Sequence, residues 1–137
     1  MTVTYANPAN LGTLGDLVDV RFAARLAPGG LVSAHRDPGN PDLAVIAIRS
    51  HVRFRLALAE CAAVARTADI AAAEGAAAIE LEGGQGLYLY RAPMTGTGRA
   101  FRLCIGSPLR KTIRESEVIA LAAVLTLFSA YWDARRP

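Results

Sequence analysis

Apolar residues recur along the chain with two different spacings, and each spacing predicts a helix or a strand. The clearest helix is 112–136, which starts with the capping-box pair Thr112 and Glu115 and contains no Gly or Pro. Its apolar stripe follows the i, i+3/i+4, i+7 spacing at Val118, Leu121, Leu125, Phe128 and Trp132. The apolar character extends around most of the helix, which indicates burial on most sides.

Two further helices are predicted from stop and start signals. The first is 13–27, capped by Thr13 and ended by the Pro-Gly-Gly sequence at 28–30. The second is 51–74, capped by Ser50, alanine-rich in its second half and ended by Gly75.

The remaining apolar segments predict strands separated by turn-forming residues. They are 31–35, 43–48, 76–82, 87–91 and 99–106, with a Pro- and Gly-containing turn at 36–41. The last three have short connections, which predicts an antiparallel meander. We therefore expect an α+β fold of order αββαβββα, with one five-stranded antiparallel sheet and three packed helices. Residues 1–137 form a single domain in this interpretation, and 1–10 form an irregular arm.

The closing helix is predicted to be a core helix; the two interpretations left open are that it only packs in the core and that its outer side also forms the seam of a homodimer. One sheet in a chain of this size covers only one side of such a helix, so the other side is available to a second copy. The interface residues predicted on it are Val118, Leu121, Leu125, Phe128 and Trp132. The uncharged run is about 15 residues long, whereas a transmembrane helix needs roughly 20 apolar residues, so a membrane is not an expected partner.

Composition narrows the class of protein. Apolar residues make up 53% and charged residues 20%, which is typical of a globular domain. Arginine carries nearly all the positive charge, since Lys111 is the only lysine; this pattern and the many alanines indicate a GC-rich bacterial coding bias. Cys61 and Cys104 lie in separate apolar segments, which predicts reduced core thiols in a cytoplasmic protein. The sequence has no Cys/His spacing typical of a metal site and no signal-peptide pattern. We therefore predict no bound metal and no signal peptide.

The candidate chemistry is anion binding rather than catalysis. His35 and His51 have no sequence neighbours that complete a catalytic pattern, and no catalytic residue is predicted. The predicted ligand- or anion-binding residues are Arg49, His51, Arg53, Arg55, Tyr88, Tyr90 and Arg102, and a second basic cluster around the last strand and the start of the last helix consists of Arg99, Arg102, Arg110, Lys111 and Arg114. The alternatives are a solvated basic surface or ion pairs with local acids. Arginines beside two tyrosines on a sheet also resemble a platform for single-stranded nucleic acid. The formal net charge is only +3, so nucleic acid is not an expected partner.

Two segments resemble known families of small modules. The segment AIELEGGQGLYLYRAP is an acidic strand, a glycine turn and an aromatic strand, and it resembles the meander of the roadblock family. TIRESEVIALAAVLTLFSAYWDARR resembles the terminal helix of a GAF domain. The resemblance implies a regulatory or scaffolding domain, often dimeric, that binds a partner protein or a small ligand. It assigns no role to individual residues.

These expectations combine into one functional hypothesis and one alternative. The hypothesis is a small non-enzymatic regulatory, interaction or ligand-sensing module, which acts as a homodimer and binds an acidic protein partner or a small anion. The alternative is a small enzyme or cofactor-binding protein with an anion-binding pocket between sheet and helix. The sequence identifies no cofactor.

Overall fold

The structure, a computed structural model, describes residues 3–6, 21–26, 30–50, 52–82, 84–92, 99–106 and 109–134. The elements in these ranges follow a simple order. They are β1 (Val3–Ala6), β2 (Arg21–Leu26), β3 (Gly30–Asp37), β4 (Asn40–Ile48), β5 (Val52–Ala57), a 3₁₀ turn (Leu58–Glu60), α1 (Cys61–Glu74), β6 (Ala76–Glu80), β7 (Gly86–Arg91), β8 (Ala100–Ile105), β9 (Leu109–Arg114) and α2 (Glu115–Asp133).

The described strands form two antiparallel sheets rather than the one that the sequence predicted. The first has the order β1-β2-β3-β4-β5 and the second β6-β7-β8-β9, each a simple meander followed by a helix. The fold class is α+β, but the prediction of a single five-stranded sheet with three helices is wrong, since the described residues contain two sheets and two α-helices. The helix α1, which follows the first sheet, packs on β6 and β7 of the second sheet. The helix α2, which follows the second sheet, packs on β2 and β3 of the first sheet and on α1.

The first predicted helix, 13–27, is wrong where the structure describes it. Residues 21–26 form β2, in which Phe22 and Ala24 are buried and Arg25 is exposed, an alternation with the period of a strand. The predicted arm 1–10 is also wrong in part, because Val3–Ala6 pairs with β2 as an edge strand. Residues 7–20 lie outside the described ranges.

The second predicted helix, 51–74, is correct only in its second half. Val52, Phe54 and Leu56 are buried and alternate with exposed Arg53 and Arg55, so this segment is strand β5. The helix begins after a 3₁₀ turn, and Gly75 ends it in the left-handed conformation at φ 95°, as the sequence predicted.

The closing helix starts three residues later than predicted. Residues 109–114 form strand β9, in which Thr112 pairs with Arg102. The capping pair is Arg114 and Glu117 instead of Thr112 and Glu115: the backbone N–H of Arg114 donates to Glu117 Oε1 at 2.8 Å. By contrast, the predicted hairpin of β3 and β4 and the predicted meander of β6, β7 and β8 are confirmed.

A buried ion pair joins the two sheets to the start of α2. Glu117 is 0% exposed, and its Oε2 lies 2.8 Å from Nε of Arg49, whose side chain is 27% exposed. Arg49 sits in the β4–β5 turn at φ 55°, and its backbone N–H donates to the Leu31 carbonyl at 2.7 Å. Its guanidinium also donates to the Thr112 carbonyl in β9 at 3.3 Å. One side chain therefore connects the first sheet, the second sheet and α2.

We expect Arg49→Met to lower the free energy of unfolding by about 3 kcal/mol, because it leaves a buried carboxylate without its counter-ion. Adding Glu117→Gln should restore at least half of the loss, since the amide is neutral and its oxygen still accepts from Arg114. Urea unfolding of the two variants and the wild type measures both effects. An unchanged midpoint for Arg49→Met would contradict the structural role of the pair.

Candidate functional site

Two arginines of the basic cluster predicted around 49–55 are held in ion pairs within the chain. Arg49 is held by Glu117, and Nε of Arg55 lies 2.8 Å from Oδ2 of Asp37, the last residue of β3. The hydrogen bond from the Gly39 N–H and then the Arg55 guanidinium lower the pKa of Asp37 below its usual value. Arg53 is exposed on an edge strand, and His51 lies outside the described residues. Because β5 replaces the predicted helix, no helix dipole adds to these charges.

The remaining predicted residues come together on the second sheet. Its side facing away from the helices is called the open face here. The residues on this side are Ala76, Ala78, Glu80, Gly86, Tyr88, Tyr90, Ala100, Arg102, Cys104, Arg110, Thr112 and Arg114. One row across the sheet is Ala76, Tyr90, Arg102 and Thr112, and the next is Ala78, Tyr88, Cys104 and Arg110. Two further arginines of this face, Arg110 and Arg114, belong to the second basic cluster that the sequence predicted, and strand β9 places them beside Arg102.

The two tyrosines remain exposed although β7 is an inner strand. Tyr88 is 53% and Tyr90 40% exposed, since their neighbours on β6 are the small residues Ala78 and Ala76. The ring of Tyr88 lies over Gly86, where a Cβ atom would approach the ring to 2.6 Å. A shallow groove of about 360 Å³ borders this ring, lined by Ala78, Ile79, Glu80, Gly84, Gly86 and Tyr88.

The described part of the chain supplies no acidic partner for the arginines of the open face. Among the described residues, no carboxylate lies within ion-pair distance of Arg102, Arg110 or Arg114. The one acidic residue of the face, Glu80, pairs with Gly86 at the opposite side of the sheet from β9. The open face thus has an aromatic strand, β7, beside two strands that carry unpaired cations.

The predicted dimer residues lie inside this chain. Four of the five residues (Val118, Leu121, Leu125 and Phe128) are fully buried, and Trp132 is 8% exposed. Arg36 covers the Trp132 ring, with its guanidinium carbon 4.4 Å from the ring centroid. These side chains already pack in the core and are not available to a second copy without unfolding.

A different face of the helices is apolar and open to solvent. It is called the helix face here and consists of Ile70 on α1 with Ile119, Ala123, Thr126 and Leu127 on α2. The large members are exposed by 48% (Ile70), 45% (Ile119) and 46% (Leu127). A groove of about 300 Å³ runs along it, lined by Asp69, Ile119, Ala122, Ala123, Thr126 and Leu127. The sequence indicated that α2 is apolar on most sides. The stripe predicted to meet a second copy is buried in the core, and the side with Ile119 and Leu127 is exposed instead.

A third groove, of about 320 Å³, lies where the two sheets meet near Glu60. It is lined by Leu43, Arg55, Leu56, Ala57, Glu60, Leu81, Glu82 and Gln85. Glu60 Oε2 accepts a hydrogen bond from the backbone N–H of Glu82 at 2.6 Å, and Arg55 is paired with Asp37. The Glu60 carboxylate therefore connects the end of the first sheet to the β6–β7 turn, whereas the Arg55–Asp37 pair lies within the first sheet.

The thiol and metal chemistry of the described residues is limited. Burial, followed by the charges of Glu60 and Asp133, raises the pKa of Cys61 to about 12, so its thiol is protonated at neutral pH. Cys104 is 9% exposed between Tyr88 and Arg110. Within the described ranges, no three His, Cys, Asp or Glu residues are grouped in a way that could hold a metal ion.

No protein-family model matches the chain, and neither the curated proteins nor the solved structures contain a significant match. The resemblance to roadblock and GAF domains therefore stays a prediction. Among the described helices, α2 has the length and hydropathy of a membrane-crossing helix, with 19 residues and a mean hydropathy of 1.3. Its most apolar stretch is 61% buried, and the core helix of a soluble protein passes the same test.

We expect Cys61 to resist alkylation by iodoacetamide at pH 8 in the native protein, because the thiolate is the reactive form and burial disfavours it. In denaturant it should react at the rate of an ordinary thiol. Peptide mass spectrometry of samples quenched at successive times distinguishes Cys61 from Cys104. Equal labelling rates of Cys61 in the folded and unfolded protein would contradict its burial.

Proposed function

We propose that the protein is a non-catalytic interaction module that acts as a homodimer through its helix face. The observation that carries this proposal is the exposure of Ile119 and Leu127 beside a groove that Asp69 of α1 also lines; Ile70, the next residue of α1, is exposed as well. Apolar groups that remain half exposed beside a groove are typical of an interaction surface. Cytoplasmic localisation stays a prediction.

The spacing on α2 suits a second copy as the occupant. Ile119 and Leu127 each lie four residues from Ala123, on opposite sides of it and on the same side of the helix. If two α2 helices cross antiparallel at Ala123, each Ile119 meets Leu127 of the second copy, which is the self-complementary arrangement of a two-fold interface. The small side chain at the crossing point permits close approach. Asp69 of α1 places a negative charge beside this groove.

The energy available favours a weak dimer. Burying the remaining exposed half of an Ile or Leu side chain contributes about 1 kcal/mol, so four of them contribute about 4 kcal/mol before the cost of association. Contacts of the groove and of Ile70 add to this. We therefore expect a dimer that dissociates on dilution.

The alternative, an enzyme or cofactor-binding protein, has less support. The grooves of the described residues lie at the surface, and the space between sheets and helices is filled by side chains such as Phe101, Leu103 and Leu125. Two arginines of the predicted anion-binding set, Arg49 and Arg55, are in ion pairs with Glu117 and Asp37.

The test is the mass of the native protein as a function of concentration. The wild type should move from monomer toward dimer with increasing concentration in light scattering and native mass spectrometry. The double variant Ile119→Asp with Leu127→Asp should stay monomeric and keep its circular dichroism, because both side chains point to solvent. A wild type that remains monomeric at the highest soluble concentration would contradict the proposal.

Two controls separate dimerisation from folding. Tyr90→Asp places the same charge on the open face and should leave the dimer intact. Leu125→Asp places it in the core, where it should unfold the protein. A dimer that persists in the Ile119→Asp, Leu127→Asp variant would show that another surface is responsible.

A further inference from the structure

We propose that the open face of the second sheet binds single-stranded nucleic acid, with bases stacked on Tyr88 and Tyr90 and phosphates held by Arg102, Arg110 and Arg114. This inference rests on the proposed function only in treating the protein as a binding module. It does not depend on dimerisation, because the helices pack against the other side of this sheet.

The aromatic part of the face suits planar bases. Tyr88 and Tyr90 are two residues apart on β7, so their side chains start from the same side of the strand and their Cα atoms are about 6.6 Å apart. Both rings are 40% or more exposed, and the neighbouring alanines of β6 leave them accessible. Stacking on such rings is tolerant of base sequence, since every base has an aromatic face.

The position of Tyr88 is set by the glycine beneath it. Gly86 has no Cβ, so the Tyr88 ring lies directly over its backbone instead of standing away from the sheet. An exposed tyrosine is usually free to change rotamer, but here the ring has a fixed contact on one side. This reduces the side-chain entropy that binding has to overcome.

The cationic part of the face runs alongside the aromatic one. Arg102 is the direct cross-strand neighbour of Tyr90, and Arg110 lies two strands from Tyr88, about 10 Å away. Arg114 lies on the same side of β9 as Arg110, at the end of the strand. A strand of nucleic acid that crosses β7 can place its bases on the tyrosines and its phosphates over β8 and β9. Guanidinium groups bind phosphate oxygens with two hydrogen bonds.

The mild net charge of the chain argued against this partner at the level of sequence. Net charge does not show where the unpaired charges lie: Arg49, Arg55 and Arg99 are paired with Glu117, Asp37 and Glu115, and these pairs leave the net charge of +3 unchanged. The three arginines of the open face, in contrast, have no carboxylate within ion-pair distance among the described residues. Distribution, rather than net charge, decides how a polyanion is bound.

An acidic protein segment is the competing occupant, and the tyrosines favour nucleic acid over it. Carboxylates would satisfy the arginines but would leave the two exposed rings without a planar partner. Bases and phosphates together use both halves of the face.

The experiment measures binding of a fluorescein-labelled oligo(dT) of about twelve nucleotides by anisotropy at several salt concentrations. Three phosphate contacts predict a slope of about −2 in log K against log salt, from about −0.7 per contact on a single strand. Tyr90→Ala should weaken binding about ten-fold at each salt concentration without changing the slope. Arg110→Gln should reduce the slope by about 0.7.

The chain offers a matched control for each half of the face. Lys111→Gln removes a positive charge from the same strand, but from the residue between Arg110 and Thr112, which points to the other side; it should change the slope less than Arg110→Gln. Gly86→Ala keeps Tyr88 but displaces its ring, because the added Cβ would lie 2.6 Å from a ring carbon. It should weaken binding with an unchanged salt slope, and thermal melting checks that each variant is folded.

Three results would overturn the proposal. One is the absence of binding at about 100 µM protein in low salt, the range of weak non-specific affinity. Another is binding that does not change in either Tyr88→Ala or Tyr90→Ala. A third is polyglutamate competing as well as unlabelled oligo(dT), which would assign the face to acidic proteins. The Ile119→Asp, Leu127→Asp variant should bind oligo(dT) with the same affinity per chain, so loss of the dimer and loss of nucleic-acid binding are separate outcomes.

Discussion

The buried pair of Glu117 and Arg49 is the constraint on which the arrangement of the two sheets depends. Each sheet is a meander that could form locally, but their relative position is not fixed by strand pairing, since the described strands of one sheet do not pair with those of the other. Glu117 begins α2 by accepting the Arg114 N–H, and the same carboxylate holds Arg49 from the β4–β5 turn. A buried carboxylate requires a partner, so α2 can dock on the first sheet only where Arg49 is present.

This docking explains how one chain covers two sheets with two helices. The helix that follows the first sheet covers the second, and the helix that follows the second returns to the first. The two helices then pack side by side, and their aromatic and aliphatic residues form one continuous core. Phe22 of β2 contacts Phe128 of α2, with the ring centroids 6.0 Å apart, so the early strands depend on the last helix. The contact joins residues far apart in sequence, which local propensity cannot encode.

The sequence predicted helix and strand boundaries correctly where the apolar periodicity and the turn or stop residues agreed. Gly75 ended α1, and the glycine turn between β6 and β7 was correctly placed. It misled where a helix-stop signal lay beyond a strand: the Pro-Gly-Gly at 28–30 made 21–26 look helical, and the alanines after residue 60 extended the predicted helix back over Val52, Phe54 and Leu56. In both segments the period of two was present, but a start or stop signal was given more weight. Tertiary packing then decided the outcome, since both strands are buried on one side by α2 and its neighbours.

The functional surfaces show the same limit at the level of single residues. The shared face of Tyr88, Tyr90 and Arg102 follows from strand alternation and could be predicted. Arg110 and Arg114 were recognised as members of a basic cluster, but their place on the sheet was not predicted, because 107–111 was interpreted as a lead into the helix and 112–114 as its first residues. The side of α2 that faces solvent could not be derived, because an apolar helix surface gives no sign of which half meets the core. Once β9 is a strand and Ile119 and Leu127 are outside, the two surfaces lie on opposite sides of the second sheet and its helices. A dimer formed by the helices would therefore present two open faces directed away from its own interface, which suits a module that holds an extended anionic partner at two points.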